Sequence, residues 1–219
     1  KTKNDRRVMW SWLRIQNIKN SNILSIPREL NLYNNKKLLI TPLKELEKLR
    51  YDKKILNKIQ IKNKTKNSNS AIIKNITSIN FNAVETKIFI KSSEIKNKRF
   101  GFQLFSESKD IGFPIIFEPE SKSILVGSTK ASLDFLNLYK TKNIEITIFI
   151  DHFLIEVFIN NLQSIVGIYE KYENKNKINA YSFNGSITIE KMIIWKLKKI
   201  NTGYIKAKKN KIWHVKEKI

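Results

Sequence analysis

Asp151, His152 and Glu156 lie in the middle of an apolar stretch, TIFIDHFLIEVFIN, which covers residues 147–160. Two carboxylates and an imidazole so close in sequence could form an acid–base site, because such groups often transfer protons in catalysis. They could also form the turn and the exposed face of an ordinary β-hairpin, since an aspartate in a turn accepts hydrogen bonds from nearby backbone N–H groups. The flanking residues decide between these two interpretations.

The residues before Asp151 alternate as they do in a β-strand, where successive side chains point to opposite faces. One face would carry Ile144, Ile146, Ile148 and Ile150, and the other Glu145, Thr147 and Phe149. Asp151 and His152 would then lie at the corner, and the residues from Leu154 to Ile159 would form the return strand. Glu156 is expected to reach solvent or a cation on a neighbouring strand. The pattern favours a hairpin in which all three polar residues have structural roles.

The composition is that of a globular protein with a sizeable core. The chain has 219 residues, of which 41% are hydrophobic and 28% are charged, enough for one large domain or for one domain and part of another. No apolar stretch reaches the length of about 18 residues that a membrane helix needs, so no membrane partner is expected. The absence of cysteine excludes disulfides, thiolate metal ligands and a cysteine nucleophile. No metal site and no cofactor are predicted.

The charge of the chain is strongly positive, with a formal net charge of +23. The excess is mostly lysine, it is spread over the whole length, and it accompanies many Asn and Ile residues, which A/T-rich codons also encode. Nucleic-acid sites typically concentrate arginine for bidentate contacts and aromatic residues for stacking. We therefore attribute the charge to codon usage and expect no nucleic-acid partner.

The order of the predicted elements is typical of an all-β sandwich. Residues 6–16 predict a strand, and two more short strands are expected on either side of a turn at Asn34 and Asn35. After residue 53 many short alternating segments are separated by turn residues, with no second helix. The single predicted helix begins in TPLKELEKLR, with Thr41 as its N-cap, Pro42 at its first position and a leucine stripe. That stripe consists of Leu43, Leu46 and Leu49.

Four segments, in order along the chain, resemble a known family. IFIDHFLIEVFINN resembles the strand pair I-x-V-D-x-S-x-x-E-V-F-x-N in the C-terminal β-sandwich of family 32 glycoside hydrolases, a group of invertases, fructanases and sucrose-6-phosphate hydrolases. LSIPRELNLYNNKKLLITPLKELEKLR is similar to the family segment S-L-P-R-E-L-x-L followed by L-x-x-x-P-x-x-E-L-x-x-L-R. RRVMWSWLRIQ and SITIEKMIIWKLKKI resemble the strands R-R-I-L-x-G-W and the closing W-x-L.

The resemblance implies a division of the chain. Residues 1–40 would be the last strands of a five-bladed β-propeller, 41–52 a linker helix, 53–200 the β-sandwich and 201–219 a basic tail. The family cleaves β-fructofuranosides such as sucrose with retention, through an aspartate nucleophile and a glutamate acid/base. The sugar would bind through a propeller that this chain lacks, and the sandwich could mediate homo-oligomer formation.

The family's catalytic motifs are missing from this chain. W-x-N-D-P-N-G is absent, since Asn4-Asp5 continues into Arg6 and Arg7; R-D-P is absent, and the Glu-Cys motif cannot occur without cysteine. Asp151 and Glu156 match sandwich positions of the family. We therefore expect no catalytic residue in this chain and no activity of the chain alone. The family's D-R-S-x-S also differs, with Gly127 and Ser128 in place of Asp and Arg.

Three residues are implied to have a role in binding or at the domain junction. Trp12 matches a family tryptophan at the floor of the fructose pocket, although the packed core of the blade is an equal alternative. Arg28 and Glu29 are expected to form an ion pair that ties the blade to the linker. The chain is then either the C-terminal piece of a β-fructofuranosidase or a free-standing, non-catalytic sugar-binding or oligomerisation module.

If the charge reflects codon usage, binding to duplex DNA should be weak and indifferent to base sequence. Each dispersed lysine–phosphate contact releases a condensed counterion, so the affinity should fall by about 10³ between roughly 50 and 200 mM salt. A fluorescence titration at the two salt concentrations measures this. Tight or sequence-selective binding at the higher salt would show a dedicated nucleic-acid site instead.

Overall fold

The computed structural model describes residues 6–14, 22–33, 37–64, 71–79, 83–107, 111–171, 173 and 175–199. The predicted turns at Asn4-Asp5 and Asn34-Asn35 and the tail 201–219 lie outside these residues. The strands, in chain order, are β1 Arg7–Met9, β2 Trp12–Arg14, β3 Asn22–Leu24, β4 Arg28–Tyr33, β5 Lys37–Pro42, β6 Arg50–Ile61, β7 Ile72–Ser78, β8 Ala83–Lys91, β9 Phe100–Ser106, β10 Phe113–Glu118, β11 Ser123–Val126, β12 Thr129–Ser132, β13 Asn143–Asp151, β14 Leu154–Ile159, β15 Gln163–Ile168, β16 Lys177–Ser182 and β17 Ile187–Leu197.

Two six-stranded antiparallel sheets pack face to face, which confirms the all-β sandwich. The front sheet has the order β15-β14-β13-β8-β17-β6, and the back sheet has the order β12-β11-β10-β9-β16-β7. Their inner faces carry alternate residues of each strand, such as the predicted isoleucines of β13 and the phenylalanines of β9 and β10, and these are almost completely buried. Apolar burial between the sheets holds the sandwich together.

The hairpin predicted around Asp151 is confirmed. β13 pairs antiparallel with β14, and Phe149 lies opposite Glu156 while Asp151 lies opposite Leu154. His152 follows in the turn with φ of 55°, a left-handed conformation that residues other than glycine adopt infrequently. The register places Asp151 and Glu156 on the outer face of the front sheet, away from the core.

The segment before residue 43 forms two small sheets outside the sandwich. β1, β4 and β5 make one sheet with β4 in its centre, and β2 pairs with β3 in the other. The prediction of one continuous strand over residues 6–16 is therefore wrong, because β1 and β2 pair with different partners. β4 and β5 pair along their length, as expected for strands joined by a turn at Asn34 and Asn35.

The predicted helix is shorter than expected and begins later. A 3₁₀ helix covers Lys44–Leu49; its N-cap residue is Leu43, and no side chain caps it. The prediction that Thr41 caps this helix and that Pro42 opens it is wrong, because both residues belong to β5. The Thr41 hydroxyl instead donates to the carbonyl of Glu29. The leucine stripe does bury one side, since Leu43, Leu46 and Leu49 belong to a small apolar cluster on the front sheet.

The prediction of no second helix is wrong, because a short 3₁₀ helix covers Ser92–Glu94 and a helix named α1 covers Phe135–Lys140. Asp134 is its N-cap residue and accepts a hydrogen bond from the backbone N–H of Asn137. Leu133, Phe135 and Leu138 reach the main core. The helix is six residues long, so its apolar pattern is too short to show a helical period.

The front sheet ends at β6, which is twelve residues long and pairs on one side only, with β17. Asp52 and Lys58 interrupt the regular strand geometry with φ of 48° and 47°. Lys53, Lys54 and Lys58 are exposed along this edge. The edge is therefore both irregular and positively charged.

Candidate functional site

Of the three polar residues of the hairpin, Asp151 and His152 lie at the exposed turn, whereas Glu156 is buried. Asp151 and His152 are exposed, and their side chains are 2.7 Å apart between Oδ1 and Nδ1. Glu156 is 1% exposed. The expectation that Glu156 faces solvent or a cation on a neighbouring strand is wrong, because its cation belongs to a segment far earlier in the chain. That segment is β4. Together with the other N-terminal strands, it lies over the outer face of the front sheet.

Glu156 forms a buried ion pair with Arg28. Nη2 of Arg28 is 2.5 Å from Oε2 of the carboxylate, and the backbone N–H of Ile26 donates to Oε1 at 2.7 Å. Arg28 also donates to the hydroxyl of Ser164, and its guanidinium lies 5.3 Å from the centre of the Phe158 ring. Because both carboxylate oxygens accept hydrogen bonds, Glu156 serves to hold the N-terminal segment on the sandwich.

The pair has an electrostatic cost that its hydrogen bonds only partly offset. Burial raises the pKa of Glu156, and the hydrogen bonds from Ile26 and Arg28 act against that rise. Nε of Arg28 is buried and has no hydrogen-bond partner among the described residues. A buried pair of this kind strongly penalises the loss of one partner, because the other is left as an uncompensated charge.

A second arginine–glutamate pair fastens the end of the 3₁₀ helix to the same sheet face. Arg50 donates to both oxygens of Glu85, at 2.6 Å from Nε and 2.5 Å from Nη2. Glu85 is 1% exposed, and the guanidinium of Arg50 lies over the ring of Trp195 at 4.4 Å from its centre. This bidentate geometry fixes the direction in which the chain enters β6.

Arg28 and Glu29, predicted to form one ion pair, bind different partners. Glu29 lies close to Arg6 of the segment before β1, with 2.7 Å between Oε2 and Nη2, and Arg6 also donates to Glu45 in the 3₁₀ helix. Arg6 thereby joins β4 to the helix, while Arg28 joins β4 to the sandwich. These contacts support a structural role at the junction for both residues, which remains a proposal.

Trp12, predicted either to bind sugar or to pack in the blade, is 68% exposed in β2. Trp10 is 53% exposed, and Leu24, Leu32 and Leu38 of the neighbouring strands are also exposed. The N-terminal strands thus contact the sandwich on one side and present large apolar side chains elsewhere. The indole of Trp12 is therefore accessible to a ligand and to another part of a larger protein.

A polar cleft of about 300 Å³ lies between the 3₁₀ helix and the outer face of the front sheet. Its volume is at the lower end of small-molecule sites. Its floor includes Lys87, Glu145, Thr147 and Phe149, and its sides include residues of β5, the helix and the turn after β14. The alternation of β13 predicts Glu145 and Thr147 on the outer face, but no local pattern predicts the cleft, because only the tertiary fold brings the helix over them.

Neither a metal site nor a membrane helix was found among the described residues. No three His, Asp or Glu side chains in that part of the chain are grouped to hold a metal ion. No helix there has the length and apolar character to cross a membrane.

Comparison with known proteins identifies the sandwich. The family model described as "Glycosyl hydrolases family 32 C terminal" matches residues 45–196. A search of curated proteins finds no match. The fold is similar to fructan 1-exohydrolase IIa from Cichorium intybus, with a TM-score of 0.59 and 20% identity, and to sucrose-6-phosphate hydrolase from Lactobacillus gasseri, with a TM-score of 0.63 and 14% identity.

The chain spans less than half the length of these two solved structures. It is covered to 88% and 90%, while 45% of the first structure and 39% of the second are matched. At such identities the likeness concerns the fold. Membership of the family is shown by the match of residues 45–196 to the family model.

Replacing Arg28 by methionine should destabilise the fold by about 3–5 kcal/mol at pH 7, because Glu156 is left as a buried, unpaired carboxylate. The loss should shrink toward pH 4, because protonation of Glu156 removes the unpaired charge. A carboxyl group whose pKa is raised by folding stabilises the fold at low pH, and this contribution is lost as the pH rises through the raised pKa. Urea unfolding at both pH values measures this. Arg28→Met/Glu156→Gln should recover part of the loss, and Lys130→Met, which removes an exposed pair with Glu118, should cost at most about 1 kcal/mol. An equal effect of the Arg28 and Lys130 variants would contradict the role given to the buried pair.

The tie formed by Arg6 should weaken in acid. The hydrogen bond from Arg6 lowers the pKa of Glu29 and lowers that of Glu45 from 4.5 to about 2. A carboxylate whose pKa is lowered by folding stabilises the fold when the pH is above its pKa in the unfolded chain. This contribution is lost as the pH falls through its pKa in the folded protein. Glu45→Gln should therefore unfold at a lower temperature than the wild type near pH 6, and the difference should vanish near pH 2. Glu120→Gln, in an exposed turn, is the control; a difference that grows in acid would refute the assignment.

Proposed function

The chain belongs to glycosyl hydrolase family 32 through the C-terminal domain of that family, and we propose that it is the C-terminal part of a β-fructofuranosidase-like enzyme. In the complete enzyme, the substrate would be sucrose or another β-fructofuranoside, cleaved by a retaining mechanism. This chain would supply the sandwich, the junction and the last strands of the catalytic β-propeller. The catalytic carboxylates would lie outside it.

The observation that carries this proposal is the structure of the N-terminal segment. The ion pairs Arg28–Glu156 and Arg50–Glu85 fasten β4 and the end of the 3₁₀ helix to the sandwich, yet Trp10 and Trp12 are more than half exposed. A segment that is fixed on one side and apolar on another is typical of a structure that packs against further protein. The missing blades of a propeller would cover such side chains.

Asp151 and Glu156 do not have the positions that retaining chemistry needs. A retaining glycosidase needs two carboxyl groups about 5 Å apart beside the sugar, one of them free to act as a nucleophile. Glu156 accepts hydrogen bonds on both oxygens and is buried beneath the N-terminal strands. Asp151 is exposed at a turn and lies beside His152. Their positions support the proposal that the acid/base and the nucleophile belong to another part of the enzyme.

A second candidate function is a free-standing, non-catalytic module that binds sugar or mediates oligomer formation. The polar cleft under the 3₁₀ helix favours this alternative, because it lies within residues that this chain contains. The exposed tryptophans could then contact a ligand or a second copy. The two candidates differ in whether a catalytic domain is coded next to this chain.

We expect residues 1–219 alone to release no fructose from sucrose, while a polypeptide extended by the coding sequence upstream of Lys1 should release it. The extension should contain the W-x-N-D-P-N-G motif of the family. A coupled assay of fructose release, run on both polypeptides, measures the difference. Release by the short chain that disappears in Asp151→Asn or Glu156→Gln would overturn the proposal, as would an inactive extension without the motif.

A further inference from the structure

We propose that the buried carboxylate of Glu156, acting through Ser25, positions Trp12 at the surface that meets the substrate in the complete enzyme. Glu156 lies in the sandwich, whereas Trp12 lies in β2, which belongs to a different sheet. A series of hydrogen bonds joins the two across the domain junction. The connection itself rests on these bonds between described residues, and its effect on the substrate rests on the proposed function.

Glu156 fixes Ile26, the first link of this connection, in two ways. Its Oε1 accepts the backbone N–H of Ile26 at 2.7 Å, and a hydrogen bond to a carboxylate is stronger than one to a neutral acceptor. The side chain of Ile26 packs against the small apolar cluster that contains Phe149 and Phe158. The backbone at Ile26 is therefore held to the front sheet by a directed bond and by apolar contact.

Ser25 carries this fixed position to Ser11. The hydroxyl of Ser25 accepts the backbone N–H of Ser11 at 2.9 Å, and the N–H of Ser25 donates to the carbonyl of Ser11 at 2.8 Å. Ser25 is 2% exposed, so these two bonds are shielded from water. Ser11 stands between Trp10 and Trp12 in the sequence. The two bonds therefore set the backbone from which both indoles project.

The strand pair that carries Trp12 depends on such a support. β2 and β3 form a two-stranded sheet of three residue pairs, among them Trp12 with Leu24. An isolated pair of strands is only marginally stable in water. The side chains of Trp12 and Leu24 are both more than half exposed, so their packing against the described part of the chain does little to order them. The bonds at Ser25 fix one end of the strand pair instead.

The connection predicts a particular effect on catalysis by the complete enzyme. An indole that packs on the C–H surface of a sugar contributes most when it is held in place before the sugar arrives. A displaced Trp12 would weaken the binding of substrate and transition state alike, because the indole does not act on the bond that breaks. Loss of Glu156 or Ser25 should then raise KM and leave kcat nearly unchanged.

Hydrogen exchange of the ¹⁵N-labelled full chain tests the connection. Glu156→Gln offers one oxygen where the carboxylate offers two, so one of the bonds from Ile26 and Arg28 loses its acceptor. The backbone amides of Ser11 and Ser25 should therefore exchange about fivefold faster, the factor expected for the loss of one net hydrogen bond.

Two control variants are matched to this change. Glu85→Gln breaks the other buried arginine pair on the same sheet face, and it should leave the two serine amides unchanged. Ser186→Ala removes a hydroxyl that also accepts a backbone N–H, that of Asn63, and it should speed exchange at Asn63 but not at the two serines. Unchanged serine amides in Glu156→Gln, or an equal effect of Glu85→Gln, would overturn the connection.

Ser25→Ala is the second test variant, because it removes one bond to Ser11 and keeps the buried ion pair. Exchange should become faster at Leu13 and Ile23, which lie opposite each other in β2 and β3. Ser25→Thr keeps a hydroxyl and should restore the wild-type rates. Unchanged exchange at Leu13 and Ile23 in Ser25→Ala would refute the role of Ser25, even where Glu156→Gln fails to fold.

Kinetics of the extended polypeptide test the effect on the substrate. Ser25→Ala should raise KM for sucrose about fivefold and change kcat less than twofold, Ser25→Thr should restore KM, and Ser186→Ala should change neither. An unchanged KM with measurable fructose release would refute the substrate role and leave the proposed function intact. An inactive extended polypeptide would refute the proposed function and the substrate role together, and the exchange rates would still decide whether Glu156 positions Trp12.

Discussion

The front sheet buries side chains on both of its faces. The position of the strands and the helix before β6 depends on the contacts that cover its outer face. The inner face needs only apolar packing against the back sheet. The outer face combines the apolar Phe149 and Phe158 with the buried carboxylates of Glu85 and Glu156. Arg28 of β4 and Arg50, where the 3₁₀ helix ends and β6 begins, supply the missing charges, so the strands and the helix are held by ion pairs as well as by apolar contact.

This arrangement makes the junction directional. Apolar contact alone allows neighbouring elements to shift, whereas a bidentate pair such as Arg50–Glu85 admits a narrow range of positions. Arg28 is held from three sides, by Glu156, Ser164 and the ring of Phe158. The cleft beneath the 3₁₀ helix adjoins the same pairs, because Arg50 and Glu85 belong to its lining.

The sequence predicted the sandwich because its strands alternate, and alternation depends only on neighbouring residues. It placed the hairpin turn at Asp151 and His152 for the same reason. It did not reveal that Glu156 is buried. The apolar Phe149 and Phe158 on the same face indicate that something covers it, but the local pattern does not show that the covering segment carries Arg28. Thr41 and Pro42 have the residue types of a helix start, but pairing with Arg28 and Glu29 in β4 draws them into a strand. Such outcomes depend on contacts between distant segments, which local patterns do not contain.

The exposed lysines of β6 affect how the protein behaves in the crowded conditions in which proteins fold, because they lie along an unpaired edge of the front sheet. A long, flat, unpaired strand is a template on which another chain can add, and such growth leads to aggregates. Here, two copies approaching edge to edge would bring two rows of ammonium groups together, and the kinks at Asp52 and Lys58 would spoil the match of their hydrogen bonds. The exposed lysines of β6 thus protect this edge of the sheet against pairing with a second copy.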